Sequence, residues 1–428
     1  MRAGRSLRNP DSGQTGAVFE VFRIFLLLGL TSFGGPTAHI GYFRTAFVTR
    51  KRWLDDRAFG ELLAICQFLP GPASSQLGMG IGLHRAGLPG FVAAWLGFTL
   101  PSAVLMGLFA AGAPTIAAVL GSGWLVGLVA AAVAVVVHAV SGMARTFSPD
   151  RLGFAFAVLA FLCAVLVSNP FVPAAVIALA AAIGACVRNE QAPSTHASEP
   201  PAVASGSAPL RVTIRPGVAI AALAVFTALL AGLPVLASVS GSAMLSGIDA
   251  TYRAGALVFG GGHTVLPALE AAFLDSGTVS SSDFFAGYGA AQAMPGPLFT
   301  FASYLGASGA ISPGGTLTAI LATVAIFLPG ALLLIGVLPF WARVRDIAAV
   351  HRALRGVNAA VVGLLASALY SAIGSSWFPH GTPDPLAIAV SMLALAGIVS
   401  RRIPPWAVVL ASGIVGAAAD AVLRVLQR

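Results

Sequence analysis

Two sets of helix-breaking motifs, about 225 residues apart, constrain this chain more than any other feature. The matching pieces are Phe33-Gly34-Gly35-Pro36 with Phe259-Gly260-Gly261-Gly262, Gln67 and Pro70-Gly71-Pro72 with Gln292 and Pro295-Gly296-Pro297, and Leu100-Pro101 with Leu328-Pro329. The offsets are 226, 225 and 228 residues, so one duplicated unit explains them better than chance use of glycine and proline. Each motif interrupts apolar sequence. In membrane proteins such interruptions expose helix ends near the middle of the bilayer.

Composition indicates a membrane protein. Hydrophobic residues make up 57% and charged residues only 9% of the 428 positions, whereas a soluble domain carries roughly 25% charged residues. Apolar stretches recur from Val18 onward, and many reach the roughly 20 residues that a spanning helix needs. The sequence therefore predicts an all-α polytopic membrane protein. Its three cysteines have no paired spacing, so we predict no disulfide framework, no metal site and no cofactor.

The duplication divides the chain into five parts. These are a basic tail (1–16), an N-terminal membrane repeat (17–187), an exposed linker rich in Ser, Ala and Pro (188–216), a connecting helix and loop (217–248) and a C-terminal membrane repeat (249–428). With six segments in each repeat and one helix between them, the second repeat enters the membrane from the opposite side. The two halves are therefore predicted to be inverted repeats.

The distribution of basic residues predicts how the chain is oriented in the membrane. The net charge of +9 comes from 23 arginines and one lysine, and positive-inside sorting explains most of them without a nucleic-acid partner. With the tail in the cytoplasm, the C-terminus is periplasmic. The cluster Arg50-Lys51-Arg52 with Arg57 then fits the rule only if the two broken segments before Leu83 are re-entrant hairpins.

Segment length and charge support the re-entrant interpretation. The half-segment 57–68 has twelve residues, and these extend about 18 Å, close to half of a roughly 30 Å hydrocarbon core. The inverted copy should open outward, and no Lys or Arg lies between Arg253 and Arg343. We therefore favour re-entrant hairpins, and full spans stay the alternative.

The Pro-Gly-Pro motifs predict an anion site. Each ends one helix and begins another, because proline lacks an N–H and already has a helical φ. The free N–H groups at a helix start bind anions with the help of roughly half a positive charge. Two such ends, meeting in mid-membrane, are predicted to hold a small dianion; the alternative is a kink in a packed helix. The predicted binding residues are Gly34, Gly35, Pro36, Thr37, Gln67, Pro70, Gly71, Pro72, Ser74, Ser75, Gly260, Gly261, Gly262, His263, Gln292, Pro295, Gly296, Pro297, Thr300 and Asn358.

Ionisable groups inside a membrane are costly and point to function. The candidate proton carriers are Glu61, His263 and Glu270. His263 lies next to its break, and Glu270 aligns with Arg44, so that the two copies carry opposite charges at this position. Interfacial or snorkelling positions are the alternative for each of these side chains.

At these motifs the chain resembles the chromate ion transporter family in its long, two-domain form. The pieces that carry the resemblance are Ser32-Phe33-Gly34-Gly35-Pro36 with His39-Ile40, Cys66-Gln67-Phe68-Leu69-Pro70-Gly71-Pro72 with Ser74-Ser75-Gln76, Val258-Phe259-Gly260-Gly261-Gly262 with Val265-Leu266-Pro267, Gln292-Ala293-Met294-Pro295-Gly296-Pro297, and Gly356-Val357-Asn358-Ala359-Ala360-Val361-Val362. The resemblance implies a bacterial inner-membrane protein built from two oppositely oriented homologous domains. It also implies chromate efflux and resistance, energised by the proton-motive force, with sulfate as a competing analogue.

The expected function is therefore a secondary transporter, not an enzyme, that exports chromate by alternating access, as an antiporter coupled to protons or driven by the membrane potential. An uptake carrier for sulfate or a related oxyanion is the nearest alternative. A passive anion channel and a membrane-embedded enzyme are further alternatives, although the scattered acidic residues form no catalytic cluster in the sequence. The expected partners besides chromate are the lipid bilayer and protons, and a homodimer is left open.

Overall fold

A computed structural model describes residues 10–167, 169, 171–187, 214–259, 262–274, 276–344, 347–400 and 402–426. These residues form helices and connecting turns, without a strand. Most of the predicted tail and linker lies outside the described residues, so those two predictions stay as they are. The domain limits given above likewise stay predictions.

The described residues of the first half form seven α-helices. They are α1 (Pro10–Thr31), α2 (Gly35–Phe43), α3 (Asp56–Phe68), α4 (Ala73–Leu120), α5 (Gly123–Phe147), α6 (Arg151–Leu166) and α7 (Val172–Cys186). A π-helix, Arg44–Arg50, continues α2. Helix α4 contains a sharp turn, because Ala86 and Gly87 have non-helical backbone angles and Gly87 has a φ of 64°. The chain reverses there, and Gly82 before the turn packs against Gly90 after it.

The second half contains ten α-helices among its described residues. They are α8 (Pro216–Ser240), α9 (Ala243–Ala256), α10 (Val265–Leu269), α11 (Ser281–Ala293), α12 (Phe301–Ser308), α13 (Thr316–Val337), α14 (Trp341–Val344), α15 (Ala348–Trp377), α16 (Pro385–Val399) and α17 (Pro405–Leu426). Short 3₁₀ segments at Gly262–Thr264 and Leu298–Thr300 precede α10 and α12, and a π-helix, Glu270–Leu274, continues α10.

Six helices among the described residues are long and apolar enough to cross a membrane. They are Ala73–Val119, Gly123–Phe147, Pro216–Ser240, Thr316–Val344, Ala348–Trp377 and Pro405–Val422. This confirms the predicted all-α polytopic membrane class, and the two halves share the same sequence of breaks.

In the first half the chain folds back at each predicted interruption. Phe25 of α1 stacks on Phe47 of the π-helix with ring centroids 4.9 Å apart, so the arms of hairpin 1 (10–50) lie side by side. In hairpin 2 (56–85), Gly80 packs against Leu62, eight residues before Pro70. In each of these two hairpins, the arms before and after the break therefore lie next to each other.

Salt bridges join the open ends of these two hairpins. Glu20 accepts a hydrogen bond from Lys51 Nζ at 2.9 Å and another from Arg85 Nη2 at 3.1 Å. His84 Nε2 lies 3.1 Å from the carbonyl oxygen of Trp53. We call this side of the molecule the basic face and the opposite side the far face.

The second half repeats the arrangement. Tyr304 of α12 donates its hydroxyl hydrogen to the carbonyl of Asp283 at 2.9 Å, which closes hairpin 4 (281–308). In hairpin 3 (243–259 and 262–274), α9 and the segment after its break share one apolar cluster, to which Ala254 and Leu266 belong.

One long helix of each half packs on the last two helices of the other half. Helix α5 packs along α16 and α17, and α15 packs along α6 and α7. Ser391 of α16 donates to the carbonyl of Ala130 in α5 at 3.1 Å, and Gly363 of α15 lies directly against the carbonyl of Ala157 in α6. The two repeats therefore interlock rather than lie side by side.

Candidate substrate site

The four hairpin tips meet, and two backbone hydrogen bonds join them in a reciprocal pattern. The Gly71 N–H donates to the carbonyl of Val258 at 2.8 Å, and the Gly296 N–H donates to the carbonyl of Ser32 at 2.9 Å. Gly71 aligns with Gly296 and Ser32 aligns with Val258. Each Pro-Gly-Pro tip is therefore bonded to the glycine-rich break of the other repeat.

Pro36 and Gly262 mark the centre of this arrangement. They are aligned positions of the two repeats, and a Cβ placed on Gly262 would lie 3.1 Å from Pro36 Cγ. Two aligned residues touch in this way only near the axis that relates the repeats. The tips thus surround a pseudo-twofold axis, as two inverted repeats require.

Both central glycines of the Pro-Gly-Pro motifs are required by backbone geometry. Gly71 has a φ of 123° and Gly296 a φ of 97°, where L side chains are strained. A Cβ on Gly71 would lie 2.9 Å from Gly330 Cα, and one on Gly296 would lie 2.7 Å from Ser102 Oγ.

Comparison with known proteins decides the family. A family model described as chromate transporter matches residues 19–185 and 245–417. The chain belongs to the chromate transporter family. Both matched regions contain the motifs whose tips meet, and no solved structure gives a significant match to this chain.

Curated relatives cover most of the chain. It is 32% identical over 356 residues to the chromate transport protein of Pseudomonas aeruginosa, which spans 81% of this chain and 79% of the relative. It is 26% identical over 391 residues to the chromate transport protein of Cupriavidus metallidurans, with coverage of 84% and 86%. It is also 24% identical over 403 residues to a probable chromate transport protein of Synechococcus elongatus, with coverage of 89% and 95%. These findings confirm the resemblance to the long form of the family.

Helix starts follow both Pro-Gly-Pro motifs, at Ala73 and Leu298. Ser75, in the first turn of α4, is 2% exposed, and its hydroxyl has no hydrogen-bond partner among the described residues. Thr300 differs, because its hydroxyl donates to the carbonyl of Pro297 at 2.8 Å. Of these two predicted donors, Ser75 is the one with a hydrogen still to offer.

A histidine links the two breaks of the first repeat. His39 is fully buried, with Nε2 at 3.2 Å from the carbonyl of Ser32 and Nδ1 at 3.4 Å from Ser74 Oγ. The Ser32 carbonyl is also the acceptor for Gly296. His39 therefore positions the predicted donor Ser74 and the cross-repeat bond together.

Gln76 is a site residue that sequence reasoning did not single out. Its side chain is fully buried, and Nε2 donates to the carbonyls of Pro70 at 3.1 Å and Gly330 at 3.0 Å. Gln76 thus ties the tip of hairpin 2 to α13. The sequence could have indicated this role, because Gln76 is a polar residue that follows a break and precedes an apolar segment.

In the second repeat, His263 holds Gln292. His263 Nδ1 lies 2.9 Å from the hydroxyl of Tyr288 and 3.4 Å from Gln292 Nε2. Sequence reasoning missed Tyr288, which aligns with Leu63 and so gave no repeat signal.

In the first repeat, the aligned Gln67 is exposed. It lies at the end of a side of α3 that also carries exposed Arg57, half-buried Glu61 and exposed Ala64. Just beyond it, the ring of Phe68 lies 6.0 Å from the His351 ring of α15.

The remaining predicted binding residues lie in the glycine-rich breaks and on α15. Gly34 and Gly35 both have positive φ, 98° and 72°, and Phe33 beside them contacts the Trp406 ring at 5.0 Å. Asn358 is half-buried on α15, the helix that packs against 262–264. The side chain of Thr37 and all of Gly260 and Gly261 lie outside the described residues.

Among the described residues, no group of three or more His, Cys, Asp and Glu side chains could hold a metal ion. The groups present at the tips are backbone N–H groups, hydroxyls, amides and imidazoles. Such donors are suited to a hydrogen-bonded anion.

Proposed function

We propose that this chain is a secondary transporter that exports chromate across the bacterial inner membrane, is driven by the proton-motive force and confers chromate resistance. The relatives are named chromate transport proteins, and 81% and 84% of the chain align with two of them. The observation that carries the proposal is the reciprocal pair of bonds between Gly71 and Val258 and between Gly296 and Ser32.

The proposed binding groups surround the paired tips. Chromate is a tetrahedral dianion, and it needs several donors and moderate positive potential from a site that must release it again. The helix starts after Pro72 and Pro297 supply free N–H groups and dipole charge. We assign further contacts to the predicted glycines and prolines, Ser74, Ser75, Gln67, Gln292, His263, Thr300 and Asn358. Sulfate has the same shape and charge and is the expected competitor.

We propose that the basic face is cytoplasmic and that all four hairpins are re-entrant. The meeting of the hairpin ends at Glu20, Lys51 and Arg85 supports this, because both arms then return to one side. Positive-inside sorting assigns that side to the cytoplasm. The N-terminus is then cytoplasmic and the C-terminus periplasmic.

The difference between the two halves supports alternating access. Helix α11 is buried and packs along α5, while the aligned α3 keeps an exposed side from Arg57 to Gln67. An anion approaching from the basic face would follow this side to the tips. Transport would exchange the two arrangements, so that α3 packs and α11 becomes exposed.

The membrane potential favours this direction. Moving one charge across 100 mV is worth about 2.3 kcal/mol, and a dianion leaving an inside-negative cell gains about twice that amount. Exchange for an entering proton adds the pH gradient to this driving force. Glu61, His263 and Glu270 are the proposed proton carriers.

Inverted membrane vesicles test the proposal. With an acidic, inside-positive lumen they should accumulate labelled chromate, and unlabelled sulfate should compete. Cells that express the chain should tolerate more chromate than matched cells without it. Increased chromate sensitivity on expression would instead indicate an uptake carrier, and uptake of chromate indifferent to both gradients would contradict a driven transporter. A homodimer stays a prediction.

A further inference from the structure

A polar cavity lies in the far half of the molecule, apart from the hairpin tips. Its volume is about 140 Å³, and the tip motifs are not part of its lining. Its polar lining residues are Asn169, Glu270, Ser367, Tyr370 and Ser371, and the ends of α6 and α7 contribute apolar side chains.

Glu270 occupies a special backbone position. It begins the π-helix Glu270–Leu274, and the aligned Arg44 begins the π-helix Arg44–Arg50. Such π-helical segments occur frequently at functional sites. Both repeats therefore have a π-helix at this aligned position, but its first residue is basic in the first repeat and acidic in the second.

The two aligned side chains have opposite environments. Arg44 is 57% exposed and pairs with Asp56 at 2.7 Å, on a surface where water screens the charge. Glu270 is 6% exposed and lines the cavity. A carboxyl group inside a membrane protein is costly, and such groups by default serve ion or proton pathways.

The cavity can hold the water that proton exchange requires. About 15 Å³ of such volume is enough for one water molecule, so the cavity has room for several. Ser367 donates its hydroxyl hydrogen to the carbonyl of Leu364 at 2.7 Å and can still accept a hydrogen bond, whereas the hydroxyls of Tyr370 and Ser371 can both donate and accept. Together they provide a hydrated, hydroxyl-lined surrounding for the carboxyl.

The charged and titratable groups on the neighbouring elements are few. Tyr370 is the one on α15 that lines the cavity. On α9, Arg253 pairs with Asp249 at 2.6 Å and covers the Phe171 ring at 4.6 Å. On α11, Asp283 and Tyr288 are engaged with Ser280 and His263.

We propose that this cavity is the proton-binding site of the transporter and that Glu270 is its proton carrier. The Glu270 carboxylate takes a proton from water of the far side, becomes a neutral acid, and returns the proton to water of the basic side after the conformational change. The anion undergoes no bond change. The inference rests on the proposed function and selects Glu270 from the three carriers considered there.

Purified protein in liposomes separates coupling from anion binding. Two reactions are measured with labelled chromate: uptake driven by a pH gradient, and exchange against unlabelled chromate without a gradient. We expect Glu270→Gln to reduce pH-driven uptake at least tenfold and exchange at most threefold. Glu270→Asp should recover part of the driven uptake. Asp56→Asn removes the acid that pairs with the aligned Arg44, and as the matched control it should behave like the wild type in both reactions.

The outcomes are distinct. Full pH-driven uptake by Glu270→Gln, or uptake by the wild type driven by a sodium gradient in place of the pH gradient, would overturn the inference. A wild-type protein that neither accumulates nor exchanges chromate would overturn the proposed function instead. If Glu270→Gln does not yield folded protein, Ser371→Ala decides: a shifted pH profile of driven uptake supports the cavity, and an unchanged profile overturns it.

Discussion

Helices α3 and α11 are aligned copies of one element, yet they have different surroundings. Ala64 of α3 is exposed. The aligned Gly289 packs against the backbone of α5, where a Cβ added to it would lie only 2.6 Å from the carbonyl oxygen of Leu128. Glu61 is half-buried, while the aligned Ala286 is 1% exposed. The same local fold therefore tolerates both an open and a packed environment. A single chain presents both at once, one in each repeat.

The difference between α3 and α11 suggests a use for the inversion: two inverted repeats can give two conformations by exchanging their arrangements. If the repeats can exchange their arrangements, α3 in the opposite conformation would be packed as α11 is packed in this structure. The tips would keep their reciprocal bonds while the helices α5 and α15 alternately cover one hairpin and expose the other. Such a change moves rigid elements around a fixed site.

The largest expected effect comes from the tip glycines. Gly71→Ala should reduce chromate transport about tenfold or more, because positive φ costs a side chain roughly 1–3 kcal/mol and the new Cβ meets the backbone of Gly330. Gly296→Ala should cost less, since its new Cβ meets the side chain of Ser102, which can rotate. Transport assays in vesicles measure both.

Gly60→Ala is the matched control for these variants. Gly60 lies on α3 with no atom within 4 Å of the added Cβ, so transport should stay near the wild-type value. Equal losses in Gly60→Ala and Gly71→Ala would contradict a specific role for the tip.

A cross-link tests the exchange of arrangements. Ala64 aligns with Gly289, and Leu128 of Gly127-Leu128 aligns with Val357 of Gly356-Val357, so Ala64 should approach Val357 of α15 in the opposite conformation. In a protein without its native cysteines, Ala64→Cys with Val357→Cys should form a disulfide and lower transport about fivefold or more, because one conformation is trapped. A reductant should restore transport.

Ala64→Cys alone supplies the baseline for that experiment. Transport that stays normal in the fully cross-linked double variant would show that α3 and α15 need not separate during the cycle. The comparison between α3 and α11 would then be a fixed asymmetry rather than two states.

A smaller effect is expected from Tyr288→Phe. The hydroxyl bonded to His263 is lost, and a buried hydrogen bond is worth roughly 0.5–1.5 kcal/mol, or about two- to tenfold in transport. Kinetics of chromate uptake report the effect, and Tyr42→Phe, at an exposed position, should leave the kinetics as they were.

The smallest effect is expected at the rim of the basic face. Glu20→Gln weakens the salt bridges to Lys51 and Arg85, and partly exposed pairs of this kind contribute roughly 0–1 kcal/mol. We expect a small decrease in thermal stability, less at high salt than at low salt. A large loss of transport in this variant would mean that the rim takes part in the conformational change.

The sequence predicted the breaks well because they depend on local chemistry. Proline and glycine act on their own backbone, so Pro70-Gly71-Pro72 and Pro295-Gly296-Pro297 indicated interruptions wherever the chain later packed. The duplication then supplied the inverted relation of the halves. The reciprocal contact of the tips followed from that symmetry.

Other features could not be predicted in this way. The exchange of α5 and α15 between the repeats depends on which apolar helices fit together, and contacts such as Gly363 against Ala157 leave no periodic signal. The role of Gln76 depends on Gly330, 254 residues away. The exposed side of α3 depends on how α3 packs against its neighbours, and the aligned α11 is buried although the two share the motif pattern.

Binding of labelled chromate to purified protein by equilibrium dialysis tests the shared site most directly. A site built jointly by both repeats predicts one dianion per chain in the wild type, with binding weakened in Gly71→Ala and also in Gly296→Ala. Two dianions per chain, with each variant losing only one of them, would show that every repeat binds its own anion and would contradict a common site at the tips.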